Sequence, residues 1–235
     1  TQGHPWGKPD PKLTDQLFRN LGGTAFADAT GAAGIVEAGF GQGVTVGDFD
    51  ADGFPDLYVA NIRGNRLWKN MGDGTFRDVT AEAKLSSRFW TTSCLMADLD
   101  GDALPDLYDV NYVTSPDVFD RVCKGPDGQP ALCMPYFFLP EPDRFWHNEG
   151  DGRFTDATKG LCDSEPGGMG LGIAAWDADG TGRLSLLVAN DTTPNFFFVP
   201  EPGQGLPRFR ERGIESGLAL NREGKANGCM GIALG

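Results

Sequence analysis

The sequence predicts an all-β fold built from repeated four-stranded units. Three observations carry this prediction. With 34 Gly and 16 Pro in 235 residues, turn formers recur throughout, and no stretch keeps helical periodicity for more than a few residues. Short β-type runs recur instead. Two motifs also alternate along the chain: an acidic loop that enters an apolar run, and an Asn-x-Gly turn that reaches a Phe six residues after its Asn.

The acidic motif stands in GVTVGDFDADGFPDLYVAN (43–61), SCLMADLDGDALPDLYDVN (93–111) and LGIAAWDADGTGRLSLLVAN (171–190). The turn motif stands in LFRNLGGTAFADAT (17–30), NRLWKNMGDGTFRDVT (65–80) and DRFWHNEGDGRFTDAT (143–158), and in a lengthened form in NFFFVPEPGQGLPRFRERG (195–213). Each unit then reads as four strands. In the first complete unit, strand A is Val44 to Phe49, B is Leu57 to Ala60, C is Asn65 to Lys69 and D is Thr75 to Val79. The acidic loop closes the A–B hairpin and the Asn-Gly turn closes C–D. Antiparallel four-stranded units of about fifty residues are propeller blades.

The expected organisation is an extended segment (1–15), strands C and D of a partial blade (16–30), and blades at 43–80, 93–158 and 171–212. An opening strand of a further blade follows at 228–235. This is an incomplete β-propeller ring of about three and a half blades, too few to close comfortably. The alignment sets Gly235 where Gly47, Ala97 and Trp176 stand. The expectation is a longer protein whose further blades, or a partner chain, complete the ring.

The acidic loops carry the chemistry. Asp48, Asp50, Asp52 and Asp56 fall within nine positions, with no Lys or Arg between Gly47 and Asn61. Four carboxylates drawn to about 5 Å repel by roughly 0.8 kcal/mol per pair even in water. A cation is the simplest missing part, and oxygen-only ligands suit Ca²⁺ better than Zn²⁺ or Cu²⁺. An EF-hand needs a bidentate Glu at position twelve of its loop, where this loop has Val59. Asp109 and Val188 align with Val59, so Asp109 reads as an outward or rim charge. His147, where the first complete blade has Lys69, reads as a surface strand residue.

These units resemble FG-GAP or VCBS repeats, the blades of integrin α-like propellers, and LFRNLGGTAFADAT followed by GIVEAGFGQGVTVGDFDADG is most similar to the cartilage-acidic-protein and ASPIC/UnbV group. The resemblance implies D-x-D-x-D-G-x-x-D calcium loops. By it, Asp48, Asp50, Asp52 and Asp56 supply side chains and Phe54 a backbone carbonyl; Asp98, Asp100, Asp102 and Asp106 do the same, with Leu104 giving the carbonyl. In the second loop the glycine sits early, at Gly101, and Ala103 replaces Gly53. The third loop keeps Asp177 and Asp179 but substitutes Thr181 and Ser185, with the cation Arg183 nearby, so it is a weak candidate. About two Ca²⁺ ions are expected.

Among five cysteines, CKGPDGQPALC encloses a Pro-Asp-Gly turn, which predicts a local disulfide between Cys123 and Cys133. The pairing of Cys94, Cys162 and Cys229 is left open. Cys123 and Cys133 lie in an insertion between strands B and C of the second complete blade (112–142), which projects from the face opposite the calcium loops. Its aromatics Tyr136, Phe137 and Phe138 predict an interaction surface or a cap.

A net charge of -13 argues against nucleic acid and anionic membranes, and no apolar run is long enough to cross a bilayer. No catalytic motif appears, so no enzyme is expected. The leading functional expectation is a secreted, cell-surface or periplasmic calcium-binding propeller in protein–protein or adhesive contact. A glycan-binding or carbohydrate-active propeller, or an accessory subunit of a larger surface complex, are the alternatives.

Overall fold

In the computed structural model, residues 13–131, 133–162, 167–203 and 205–234 are described. The expected 1–15 segment thus lies largely outside them, as does Gly235. A two-stranded hairpin comes first, β1 (Phe18–Asn20) with β2 (Phe26–Asp28). The first complete blade is β3 (Phe40–Gly47), β4 (Asp56–Ile62), β5 (Arg66–Asn70) and β6 (Phe76–Asp78). The second opens with β7 (Thr91–Ala97) and β8 (Asp106–Asn111). The insertion follows, with β9 (Val113–Thr114), β10 (Cys123–Lys124), β11 (Pro130–Ala131) and β12 (Leu139–Pro140). The blade is completed by β13 (Arg144–Asn148) and β14 (Phe154–Asp156). The third is β15 (Gly170–Trp176), β16 (Ser185–Asn190), β17 (Phe196–Pro200) and β18 (Phe209–Glu211), trailed by a helical turn, α1 (Gly213–Ser216).

Each blade is an antiparallel meander in chain order, and the innermost strands β3, β7 and β15 pack side by side. The described residues form a propeller-like arc of four-stranded sheets and no closed ring. The strand A predicted for 44–49 begins four residues earlier and stops at Gly47. It reaches back through a bulge between Gly41 and Gly43, repeated at Thr91/Ser93 and Gly170/Gly172, and it ends where the Asp48 carboxylate turns to cap its own loop. Bulges of this kind bend a strand and add twist.

The F-x-D-x-T signature has a structural use. Asp28, Asp78 and Asp156 each accept the N–H of the Thr two residues on, and those threonines, Thr30, Thr80 and Thr158, accept the N–H of Leu17, Leu67 and Phe145 across the hairpin. The turn after each strand D then latches the next blade. Phe76, Phe154 and Phe209 donate their backbone N–H to the carbonyls of Ala33, Ala83 and Leu161.

Between blades lie the cores. Phe49, Tyr58, Leu67, Cys94, Met96, Trp146 and Phe154 fill one, and Leu99, Tyr108, Phe145, Leu186, Phe198 and Phe209 the other. The same strand positions are uncovered on the first complete blade: Val44 and Val46 are 62% and 57% exposed where Cys94 and Met96 are 7% exposed. Residues 228–234 carry no strand. They pass beside β15, with the Cys229 N–H on the Asn190 carbonyl and Gly231 Cα 3.8 Å from where a Cβ on Gly172 would stand. Gly172 aligns with Gly43, which meets Ser93 in the same way, so the segment holds the position of an innermost strand without a ladder partner among the described residues.

Cys123 and Cys133 are disulfide-bonded. Tyr136 and Phe137 are exposed, their ring centroids 4.7 Å apart. Phe138 is half-buried, packed on the Val113, Val118 and Met169 cluster with the Arg121 guanidinium 5.3 Å from its ring centre. Among the described residues no helix is long and apolar enough to cross a membrane.

Candidate metal centre

The three acidic hairpins close on the same register, with Gly47 opposite Asp56, Ala97 opposite Asp106 and Trp176 opposite Ser185. Two positions in each loop take the left-handed conformation: Ala51 and Gly53, Gly101 and Ala103, Gly180 and Gly182. The early glycine of the second loop therefore does not alter the backbone path. Each of the first two loops holds one alanine in a conformation that costs an L-residue roughly 1–2 kcal/mol, so the loop's other contacts over-determine it.

Those contacts are carboxylate-to-amide bonds. In the first loop Asp48 accepts the N–H of Asp52 at 3.0 Å and of Gly53 at 2.8 Å, and Asp52 accepts that of Phe54 at 3.0 Å. Asp56, fully buried, accepts Phe49 N–H at 3.1 Å and Asn70 N–H at 2.7 Å. The second loop repeats this, with Asp98 on Gly101 and Ala103, Asp102 on Leu104, and Asp106 on Leu99 and Asn148. The Asn-Gly turn is thereby tied to the acidic loop of its own blade. Asn148 goes further: its amide donates to Pro105 O at 3.0 Å and to Phe49 O of the preceding blade at 2.7 Å.

Oxygens from Asp48, Asp50 and Asp56 gather within 4.8 Å of one another, as do those of Asp98, Asp100 and Asp102. A third group joins Asp100 and Asp106 to His147, whose Nδ1 stands 3.4 Å and 3.2 Å from their oxygens. Burial pushes Asp56 and Asp106 up to about 6, against the bonds from Asn70 and Asn148, and the neighbouring loop carboxylates add to the rise. Asp50 Oδ1 is buried with no hydrogen-bond partner. Asp52 leans instead to Lys69, whose ammonium bonds Asp50 and lies 2.8 Å from Asp52. That bond holds the Asp52 carboxyl below its usual range, and the same two bonds raise the lysine.

Phe54 and Leu104, expected to give carbonyls, also place their side chains against Gly72 and Gly150 of the Asn-Gly turns. The third loop gathers no such trio of donors among the described residues. Asp177 caps Thr181 and Gly182, Asp179 takes the Thr181 hydroxyl at 2.6 Å, and Ser185 Oγ is buried without a partner. Arg183 turns away to the carbonyls of Glu201 and Gly203. Sequence reasoning read His147, at the position of Lys69, as a surface strand residue and gave neither a part in the acidic loops, which both in fact contact. Both precede the turn Asn on strand C, one residue from the partner of the last loop Asp, and that spacing is the signal that could have found them.

Residues 48–108 match a family model described as an FG-GAP-like repeat. The chain carries an FG-GAP-like repeat. The match opens on Asp48 and runs through β4 to β8, so it takes in both the first and the second acidic hairpin. No curated protein matches the chain. An FG-GAP-like repeat fits the four-stranded sheets and the alternation of acidic and Asn-Gly turns described above.

Two residues expected from sequence to be peripheral are interior. His147 is half-buried between two loop carboxylates. Asp109 is fully buried, accepting Tyr58 Oη at 2.9 Å and Trp146 Nε1 at 2.9 Å. The reading of Asp109 as a rim charge fails because its side chain faces the core between blades, where the Tyr58 hydroxyl of the preceding blade and the Trp146 indole of its own blade supply donors in place of water.

Proposed function

We propose that the chain is a calcium-binding propeller segment whose first two acidic hairpins each hold one Ca²⁺, stiffening the blade rim for contact with a protein partner outside the cell. The observation that carries this reading is the crowding of Asp48, Asp50 and Asp56 within 4.8 Å, with Asp50 Oδ1 buried and unpartnered. The four first-loop carboxylates, Asp48, Asp50, Asp52 and Asp56, together with the Phe54 carbonyl, form an oxygen set suited to a hard cation. The ion supplies charge neutralisation; the chain supplies a pre-turned loop held by its own amide bonds. The third hairpin takes no part, since it gathers too few donors.

The exposed pair Tyr136 and Phe137, with Met134 and Leu139 beside them, supports a contact surface on the insertion. The Cys123–Cys133 disulfide supports an oxidising compartment. Melting of chelator-treated protein with and without millimolar Ca²⁺ tests the metal reading. A rise in Tm that is lost in the double variant Asp50→Asn with Asp100→Asn supports it, and an unchanged Tm overturns it.

A further inference from the structure

The chain carries a charge of -13, yet four arginines line one cleft of about 590 Å³. Arg63 and Arg66 flank the turn from β4 to β5, Arg88 lies in the segment before β7, and Arg144 opens β13. These are the strand ends opposite the acidic hairpins, so the cleft lies away from the crowded loop carboxylates.

The four differ in their partners. Arg66 is paired with Glu37 at 3.0 Å and with Asp78 at 3.5 Å. Arg144 reaches Glu141 at 3.3 Å and the carbonyls of Pro142 and Asp143, with its guanidinium 4.4 Å from the centre of the Phe89 ring. Arg63 has the Phe119 ring 4.3 Å away and no carboxylate partner, and Arg88 has neither hydrogen bond nor ion pair, among the described residues. The one other charged wall residue is Asp156, whose Oδ1 already accepts Thr158 N–H at 3.0 Å. Arg63, held against an aromatic ring, is fixed in place without being neutralised, and a stacked guanidinium keeps its donor fork free. Arg63 also sits at φ 71°, a conformation a non-glycine residue adopts at a cost, pinned there by its N–H on the Phe89 carbonyl.

We propose that this cleft binds a small molecule or chain terminus bearing a tetrahedral oxyanion ester, a sulfate or phosphate monoester on a polar body of sugar size. Charge selects the anion: the two arginines without carboxylate partners supply charge-assisted donors, which are roughly twice as strong as neutral ones. Volume selects the body: the cleft falls in the range of sites that enclose a small organic ligand. The serines Ser86 and Ser87 on the wall offer hydroxyls to it. The site is separate from the acidic hairpins and does not depend on their occupancy.

Calorimetric titration of the full chain with glucose 6-sulfate, glucose 6-phosphate and unmodified glucose, at constant ionic strength set by NaCl, tests the proposal. One ester is expected to bind saturably at one site per chain while glucose does not, and the preferred ester identifies the source of the anion. The double variant Arg63→Ala with Arg88→Ala is expected to weaken binding at least tenfold; both side chains are exposed, and unchanged far-UV circular dichroism checks the fold. Arg222→Ala, away from the cleft, is expected to leave it unchanged. Absence of saturable binding of either ester to the wild-type chain, or equal affinity in the double variant, would overturn the assignment.

Discussion

His147 Nδ1 stands 3.2 Å from the buried carboxylate of Asp106, at the strand position where Lys69 of the preceding blade directs its ammonium to Asp50 and Asp52. The two hairpins share a backbone and an acidic set, but they differ in the charge that strand C delivers to them. The first carries an internal cation that competes with a metal. The second carries an imidazole.

Exchange of these residues should therefore shift affinity in opposite directions. Lys69→Met is expected to raise the Ca²⁺ affinity of the first hairpin about tenfold, since one positive charge a few ångströms from the ion is worth ~1.4 kcal/mol or more at a protein surface. His147→Lys is expected to lower the affinity of the second by a similar factor. Calcium titration of each variant against wild type checks both.

Stability should respond to pH through two buried acids remote from the loops. Burial pushes Asp109 up to about 6 and Asp143 up to about 7, against bonds from Trp146 and Tyr58 in one case and from Asn111 and Tyr108 in the other. Both exceed the unfolded value near 4, so the folded state holds more protons between pH 4 and 7. Stability from these groups is then greatest below about pH 4 and declines as pH rises through 6 to 7. The loss is on the order of 3 kcal/mol for Asp109 and on the order of 4 kcal/mol for Asp143. Urea denaturation of metal-free protein at pH 5 and 7.5 should show a smaller decline in Asp109→Asn than in wild type.

The two turn asparagines should differ in worth. Asn148→Ala strips donors from Phe49 O and Pro105 O in a buried setting and is expected to cost about 2–3 kcal/mol. Asn70→Ala loses two exposed bonds, its own to Pro55 O and the one it accepts from Gly72 N–H, and is expected to cost about 1 kcal/mol. Denaturation midpoints at equal slope decide between them.

Cleaving the Cys123–Cys133 bond should loosen the insertion and leave the blades intact. The paired Cys→Ser variant is expected to lose up to about 3 kcal/mol in the chain-entropy model. Limited proteolysis should then cut within 112–142 while the blade latches at Phe76, Phe154 and Phe209 stay protected.

The blades were legible because each one repeats the same local chemistry. A hairpin that needs left-handed residues writes Gly or a short residue at 51/53 and 101/103, and the F-x-D-x-T turn writes its own hydrogen bonds. The disulfide was legible for the same reason, since Pro126, Asp127 and Gly128 form a local turn. What single-strand alternation conceals is the neighbour. Asp109 occupies a position that is Val59 in the blade before, and only the Tyr58 hydroxyl from that blade and Trp146 make a buried acid tenable there. Lys69 and His147 were hidden similarly, because strand C reaches the acidic loop across strand B rather than along the chain. The segment 228–234 matches the repeat in sequence, yet a strand also needs a ladder partner, and none lies among the described residues.

The most direct test of the central claim is the number of Ca²⁺ ions bound by the metal-free chain, measured by isothermal titration at pH 7.5. The account predicts two ions per chain, falling to one in Asp56→Asn and one in Asp106→Asn, with Asp177→Asn still binding two. No binding heat and no ion retained on equilibrium dialysis would contradict it, leaving the acidic hairpins as turns held by carboxylate-to-amide bonds alone.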